Sequence, residues 1–470
     1  MNGLELDKTL IEKMKKYNIP GIVYAIFDEN GMIYKSALGY NDVKKQVPMN
    51  TEISFPIGSC VKGFTSASLA KLSSKGFFSW DDKVNAVLSD FRLSDKQLSS
   101  KITIRDMLAH RSGISKNSII YDFRPMKRKD IAGFLEKFEC IDITRKKFIY
   151  NNFVYSYMEY LIEILSQKSF PEYVKLEIFD ALDMVNTTDC FEDLIKRENR
   201  IHTYNYRRNN HYEIHYEEEL LYDHVGCTIM STLEDIVKWV RMFINHGYYD
   251  GKEVIPYEFL KETISAQTRM DQKDYCMGWY RKNYLNDELI YHEGRSYGCN
   301  AFLSFLKAQR KGVIIIANHA NQAFSLDVAQ IVYSELFGLN WENDAGILSD
   351  SQVKAKREIA IEDFPEKMRF VGAECEKFEG MYYDDVYGYI FVYTSFGKLF
   401  MKYYNLTLQL ICKEDNCYYA VPIAEFTCMR NTLGSNNTLS FEFIEEANEI
   451  TKVIYHNEPE VHDVVFECMK

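Results

Sequence analysis

Two apolar hairpin patterns, one near residue 30 and one near residue 310, set the frame for this chain. GIVYAIF and MIYKSAL flank Asn30-Gly31 over Gly21 to Leu38, and Asn-Gly suits the φ > 0 positions of a tight hairpin turn. AFLSFL and VIIIANHA, joined by KAQRKG, read as the second hairpin. LIEKMKKY precedes the first and FSLDVAQIVYSELFGL follows the second, both with apolar residues at helical spacing. Hairpins bracketing a largely helical middle, with a helix at each end, predict an α+β domain over residues 1–340. With 46% of the 470 residues hydrophobic, a core of that size is feasible.

The pattern changes after Leu339. Residues 341–370, including SDSQVKAKREIAIEDFPEK, are polar and charged, as a linker would be. From Phe378 onward apolar residues tend to alternate with period two, in YGYIFVYTSFGKLFMKYY, LTLQLICKEDNCYYAVP, LSFEFI and TKVIYH. Short alternating strands with turn signals between them predict a small antiparallel, barrel-like β-domain over residues 371–470.

Charge narrows the partners. A formal net charge of -12, with no long basic run, argues against nucleic acid and against an anionic membrane surface, since phosphate binding needs a basic face. The sequence MNGLELDKTLIEKMKKYNIP lacks the apolar core of a secretory signal, and Val313 to Ala317 is far too short to span a bilayer. The 11 cysteines are odd in number and scattered, without a Cys-x-x-Cys pair. Reduced thiols in a cytoplasmic protein are the expectation.

Chemistry enters at Ser59-Cys60-Val61-Lys62. If Ser59 opens a helix, residues at i and i+3 share a face, so Lys62 lies beside the Ser59 hydroxyl. A serine hydroxyl is a poor nucleophile until a neighbouring base takes its proton, and a helix N-terminus aims backbone N–H groups at a developing oxyanion. The bare pattern is cheap: it recurs at Ser68/Lys71, Ser304/Lys307, Ser351/Lys354 and Ser395/Lys398. What sets Ser59 apart is its context, ISFPIGSCVKGFTSASLAKLSSKGFFSWDDKV. There Pro56 and Gly58 constrain a turn, an apolar-periodic helix follows, and Gly76 suits a C-cap.

That stretch resembles the nucleophile helix of serine β-lactamases, D-alanyl-D-alanine carboxypeptidases, D-aminopeptidases and related esterases. ITIRDMLAHRSGIS is similar to the segment that follows it in those enzymes. KKFIYNNFVYSYMEYLIEIL resembles their Tyr-x-Asn region, HVGCTIMSTLEDIVKWVRMFINHGYYDGKEVI a later helix and loop, and YHEGRSYGCNAFLSFL the strand bearing the third motif. The order is the family's over most of residues 1–340. The resemblance implies a β-lactamase-like antiparallel sheet with helices on its faces and a helical subdomain.

Carried over, it makes Ser59 the nucleophile and Lys62 and Tyr150 its proton-handling partners, with Asn152 holding Lys62 and positioning a substrate amide. The strand motif His292-Glu293-Gly294 matches the His-x-Gly form found in some peptidases. Gly294 would allow close approach of a substrate backbone. The Arg295 amide would complete an oxyanion hole with that of Ser59, and His292 would donate to Tyr150 or to substrate. The family commonly has Lys-Thr-Gly here. Glu293 facing the substrate would repel a β-lactam carboxylate, whereas strand alternation also allows it to face the other way. Thr144 to Lys147 replaces a Pro-Gly turn before Tyr150. Cys60 is expected to face away from Ser59 and to pack.

His202, His211 and His215 lie close in sequence, but the intervening TYNYRRNNHYEIHYEEE reads as a polar hairpin, and Tyr212 stands where a zinc-protease pair wants Glu. No metal and no cofactor is expected. The implied activity is serine hydrolysis through an acyl-enzyme, on a small-molecule or short-peptide amide or on an ester. A non-hydrolytic binding or scaffolding protein on the same fold is the alternative. Nothing in the sequence gives the oligomeric state.

Overall fold

The computed structural model describes residues 3–115, 128–190, 193, 196–207, 210–214, 229–284, 287–296, 298–319, 321–337, 373–384, 387–404, 406–414, 416–422, 439–447, 449–456 and 463–469. These divide into two compact units. One holds the described residues up to Ile114 and from Arg128 to Phe337, the other Ser115 and those from 373 to 469. The stretch expected as a linker lies outside the described residues.

The first unit is built on an antiparallel sheet. Its strands are β1 (Gly21–Asp28), β2 (Met32–Asp42), β3 (Val47–Pro48), β4 (Thr268–Arg269), β5 (Asp274–Tyr275), β6 (Tyr280–Tyr284), β7 (Asp287–Ser296), β8 (Cys299–Leu306) and β9 (Lys311–Ala317). Their order is β4-β5-β6-β7-β8-β9-β1-β2-β3. The two predicted hairpins therefore become sheet neighbours, with Ile22 opposite Ala317 and Phe27 opposite Gly312.

Helices cover both faces, which is why β1, β8 and β9 are buried along nearly their whole length rather than at alternate positions. On one face, α1 (Gly3–Tyr17) brings Leu6, Leu10, Met14 and Tyr17 against Tyr24, Ile315 and Tyr291. From the C-terminal side of the sheet, Phe324, Val328, Val332 and Tyr333 of the helix Gln322–Phe337 join the same cluster. On the other face lies α2 (Val61–Ser74), buried around almost its whole circumference. Phe64 of α2 stacks on Trp239 at 3.9 Å, and Phe243 packs edge-on against Trp279. Another helix, α3 (Asn152–Ser166), packs beside α2.

The hairpin turn differs from expectation. Neither Asn30 nor Gly31 has a positive φ. The Asp28 carboxylate instead accepts from the Asn30 and Gly31 N–H groups at 2.8 and 3.1 Å, and a register shift at Ile26/Phe27 absorbs the longer turn.

The second unit is a closed barrel of eight strands: β10 (Gly380–Asp384), β11 (Gly388–Ser395), β12 (Lys398–Tyr403), β13 (Leu406–Glu414), β14 (Cys417–Pro422), β15 (Leu439–Glu446), β16 (Glu449–His456) and β17 (Val464–Met469). β17 returns to pair with β10, Met381 opposite Met469. The period-two pattern is what closure needs: Ile390 and Val392 are buried, while Tyr389 and Phe391 between and beside them are about half exposed.

Among the described residues no helix is long and apolar enough to cross a membrane. The described cysteines are all free thiols.

Candidate active site

Three pieces of backbone converge on Ser59. The first is the 3-10 turn Gly58–Cys60, which runs straight into α2 and so keeps Ser59 and Lys62 on one face. The second is the start of α3. Asn151 caps it, its side chain accepting from the Val154 N–H at 3.2 Å, and this places Tyr150 and Asn152 on either side of the cap. The third is the end of β7, from His292 to Arg295.

Two glycines let the first and third pieces touch. Gly58 adopts φ +51, and a Cβ there would stand 2.7 Å from the Arg295 backbone nitrogen. A Cβ on Gly294 would stand 1.8 Å from the Ile57 carbonyl oxygen and 3.1 Å from the Cys60 nitrogen. The nucleophile turn therefore lies directly on the strand, with the peptides flanking Ser59 against those of Gly294 and Arg295. A side chain at Gly294 would have no room, because the protein's own main chain fills the space its Cβ would take. Cys60 points away from the site as expected. It is buried, and its thiol donates toward the carbonyls of His292 and Ala301 at 3.5 and 3.8 Å.

Lys62 is fully buried. Its Nζ donates to Ser59 Oγ at 3.2 Å and to Asn152 Oδ1 at 2.9 Å. The same Nζ lies 5.0 Å from the ring centre of Tyr150 and 5.4 Å from that of Tyr155, within cation–π range. Ser59, Lys62, Tyr150 and Asn152 thus stand together.

His292 is brought close as well, but its bonds go elsewhere than foreseen. Nδ1 donates to the Glu293 carbonyl at 2.7 Å, which leaves Nε2 to accept from the Tyr275 hydroxyl at 3.4 Å rather than donate to Tyr150. Burial, helped by the Lys62 charge, pulls the His292 imidazole down to about 3 and so keeps it neutral.

Alternation along β7 settles Glu293. Leu289 and Tyr291 face the α1 side of the sheet, and Glu293 shares their parity, opposite to His292 and Gly294. Burial pushes its carboxyl up to about 7, with Lys273 and Arg295 pulling the other way. Lys273 lies over the Tyr280 ring at 4.1 Å. Beyond Tyr291, opposite Tyr280, β6 ends, so among the described residues His292–Ser296 pair only with β8. On its other side that strand end has no sheet partner among the described residues.

The turn that replaces Pro-Gly is built without glycine. Arg145 takes φ 59, held by its ion pair to Asp106 at 2.8 Å, while Asp142 accepts from the N–H groups of Thr144, Lys146 and Lys147.

Sequence reasoning passed over three side chains here: His110, Tyr155 and Tyr275. His110 is fully buried, with ring centres of Tyr150, Tyr155 and Tyr275 at 4.3, 4.9 and 4.8 Å. It stands in the quoted segment MLAHRSG, where a lone polar residue after an apolar run was the available signal. Tyr155 and Tyr275 had none, being two among 34 tyrosines. No described group of three or more His, Cys, Asp or Glu could hold a metal. His202 bonds Glu213 and His211 bonds the Asn18 carbonyl, within a hairpin of Thr203–Arg207 and Asn210–Ile214. His215 lies outside the described residues.

Known proteins share this arrangement of chain. Protein flp of Staphylococcus aureus (strain N315) is 23% identical over 328 residues, 67% of this chain and 62% of the relative. The unguisins hydrolase ungD of Aspergillus violaceofuscus is 23% identical over 345 residues, 67% of this chain and 61% of the relative. The chain thus spans less than two thirds of the length of either. Among solved structures, an octameric penicillin-binding protein homologue from Pyrococcus abyssi superposes with a TM-score of 0.65 at 19% identity, covering 99% of this chain and 100% of that one. The Beta-lactamase family model matches residues 6–333, which takes in every residue placed around Ser59, and the chain belongs to that family.

Proposed function

We propose that this protein is a serine hydrolase that works through an acyl-enzyme on an amide, peptide or ester bond. The observation that carries the reading is the contact of a fully buried lysine with Ser59 Oγ at 3.2 Å and with Asn152 Oδ1 at 2.9 Å. A buried ammonium or amine costs free energy unless it is used or paired, and this one is aimed at a hydroxyl on a helix start. Ser59 attacks the carbonyl carbon. The Lys62/Tyr150 pair takes the hydroxyl proton and returns it to the leaving group. The amides of Ser59 and Arg295 receive the oxyanion, and water then releases the acid.

Two further features favour a peptide or amide over a β-lactam. The strand end His292–Ser296, without a second sheet partner among the described residues, would offer main-chain groups to an extended substrate. His292 stands where the family commonly has lysine, and it is neutral, so the strand offers no charge to a substrate carboxylate there. The hydrolase name of ungD agrees with the general class.

Intact mass spectrometry of wild type and Ser59→Ala, after incubation with a fluorophosphonate and separately with a penicillin, tests the reading. One adduct on wild type and none on the variant is expected with the fluorophosphonate, and any penicillin adduct should persist. Wild type that takes no adduct from either reagent would point to a non-hydrolytic binding protein instead.

A further inference from the structure

His110 stands apart from the proposed chemistry but grips the segment that carries Tyr150. Its carbonyl accepts from the Ile149 N–H at 2.7 Å, and its Nδ1 accepts from the Asn151 N–H at 3.2 Å. The two bonds bracket Tyr150 on both sides, while the imidazole lies against the Tyr150 ring with centres 4.3 Å apart. The residue holds a left-handed backbone, φ 52, which few side chains adopt but Asn, Asp and His tolerate best. Nε2, which carries the ring proton once Nδ1 accepts, has no hydrogen-bond partner among the described residues although it is buried. An unusual backbone and an orphaned buried donor are both costs, and such costs persist where the surrounding geometry is put to use. Burial and the Lys62 charge hold the imidazole well below its ordinary value, so Nδ1 keeps its lone pair for Asn151.

We infer that His110 is a positioning residue for Tyr150, a two-point clamp whose main-chain carbonyl and Nδ1 fix the phenol against Lys62 and Ser59. The inference rests on the hydrolase reading above. It is tested by the concentration dependence of Ser59 phosphonylation by a fluorophosphonate, in the full-length protein. His110→Gly keeps the left-handed backbone at no steric cost but removes the side-chain acceptor. His110→Phe keeps the ring packing and also lacks the acceptor. His110→Asn keeps both an acceptor near the Nδ1 position and tolerance of φ 52.

The limiting labelling rate should fall about 100-fold in the glycine and phenylalanine variants, the cost of misplacing a reacting group by about 1 Å, and recover to within about tenfold in His110→Asn. The half-saturating reagent concentration should stay within about threefold throughout, since a positioning loss falls on the rate and not on reagent binding. Folded glycine or phenylalanine variants labelling at the wild-type rate would overturn the clamp. So would an asparagine variant as slow as they are. Wild type that does not label, or Ser59→Ala that does, would instead sink the hydrolase reading itself.

Discussion

Gly294→Ala probes how far the site depends on two backbones touching. The added methyl would sit 1.8 Å from the Ile57 oxygen and 2.8 Å from its carbonyl carbon. Carbon–oxygen contacts become comfortable only from about 3.3 Å, so the turn and the strand must part by about 1.5 Å. No rotamer relieves this, because both partners are main chain. Overpacking of this kind costs about 1–3 kcal/mol of stability, which a protein of this size tolerates. The catalytic cost is larger, because the same displacement carries Ser59 away from the Arg295 amide. At about 100-fold per ångström, acylation should slow by about 10²–10³-fold while a cooperative melt survives. Stopped-time mass spectrometry of fluorophosphonate labelling reads the rate, and thermal unfolding reads the stability. Gly31→Ala serves as control: no atom lies within 4 Å of its would-be Cβ and its φ is negative, so it should be silent in both assays. A Gly294→Ala protein that labels within a few-fold of wild type would show that the contact of turn and strand does not hold the nucleophile in register.

Three more outcomes follow from buried charge. His292 stays neutral down to about pH 3 in the folded protein, whereas an unfolded histidine takes a proton near 6.5. Stability should therefore fall as pH drops below 6.5, by an order-of-magnitude 3–5 kcal/mol when complete, and urea melts from pH 7 to pH 4 should show a shallower loss in His292→Gln. Glu293 works in the opposite sense: raised to about 7, it favours the folded state while protonated, and that contribution is lost between its unfolded value and pH 7. Glu293→Gln should then gain stability relative to wild type at pH 8 but not at pH 4. Behind Lys62, the fully buried Glu159 of α3 accepts from Arg128 at 2.9 Å and from Thr65 of α2 at 3.2 Å, and Arg128 also reaches Asp189 at 3.5 Å. Glu159→Leu leaves that guanidinium with only the more distant carboxylates of Asp189 and Glu163 among the described residues, and should cost about 3–5 kcal/mol in urea unfolding. Unchanged stability would mean the pair is replaceable by packing.

Much of this was legible because the sheet writes itself as apolar runs. β1 and β9 are buried on both faces, and a run such as GIVYAIF leaves little choice of element. The barrel was legible for the opposite reason: each strand has one wet face, so Ile390 and Val392 alternate with Tyr389 and Phe391. The Ser59 group could be read because helix spacing pairs Ser59 with Lys62 and the resemblance to the β-lactamase family supplies Tyr150 and Asn152. What could not be read were contacts made across the fold. His110 and Tyr150 are far apart in sequence, and only the packed domain shows the Asn151 N–H seeking an imidazole. Gly294 was recognised as special for substrate approach, and the structure adds a second reason, because sequence says that a side chain is absent without saying what fills its place. Asn30-Gly31 misled since Asp28, two residues earlier, offered a competing acceptor.

The partnership of β1 with β9 carries a consequence for how the chain is made. Ile22 finds Ala317 across the sheet, about 290 residues later in synthesis, and at about 5–20 residues per second the first hairpin waits about 15–60 s for its neighbour. Throughout that delay GIVYAIF has β2 on one side only, and its apolar faces stay without their cover. A ribosome-bound fragment ending before residue 311 should stay protease-sensitive and lean on a holdase. One that has released Ala317 and the helix behind it should snap into a resistant form.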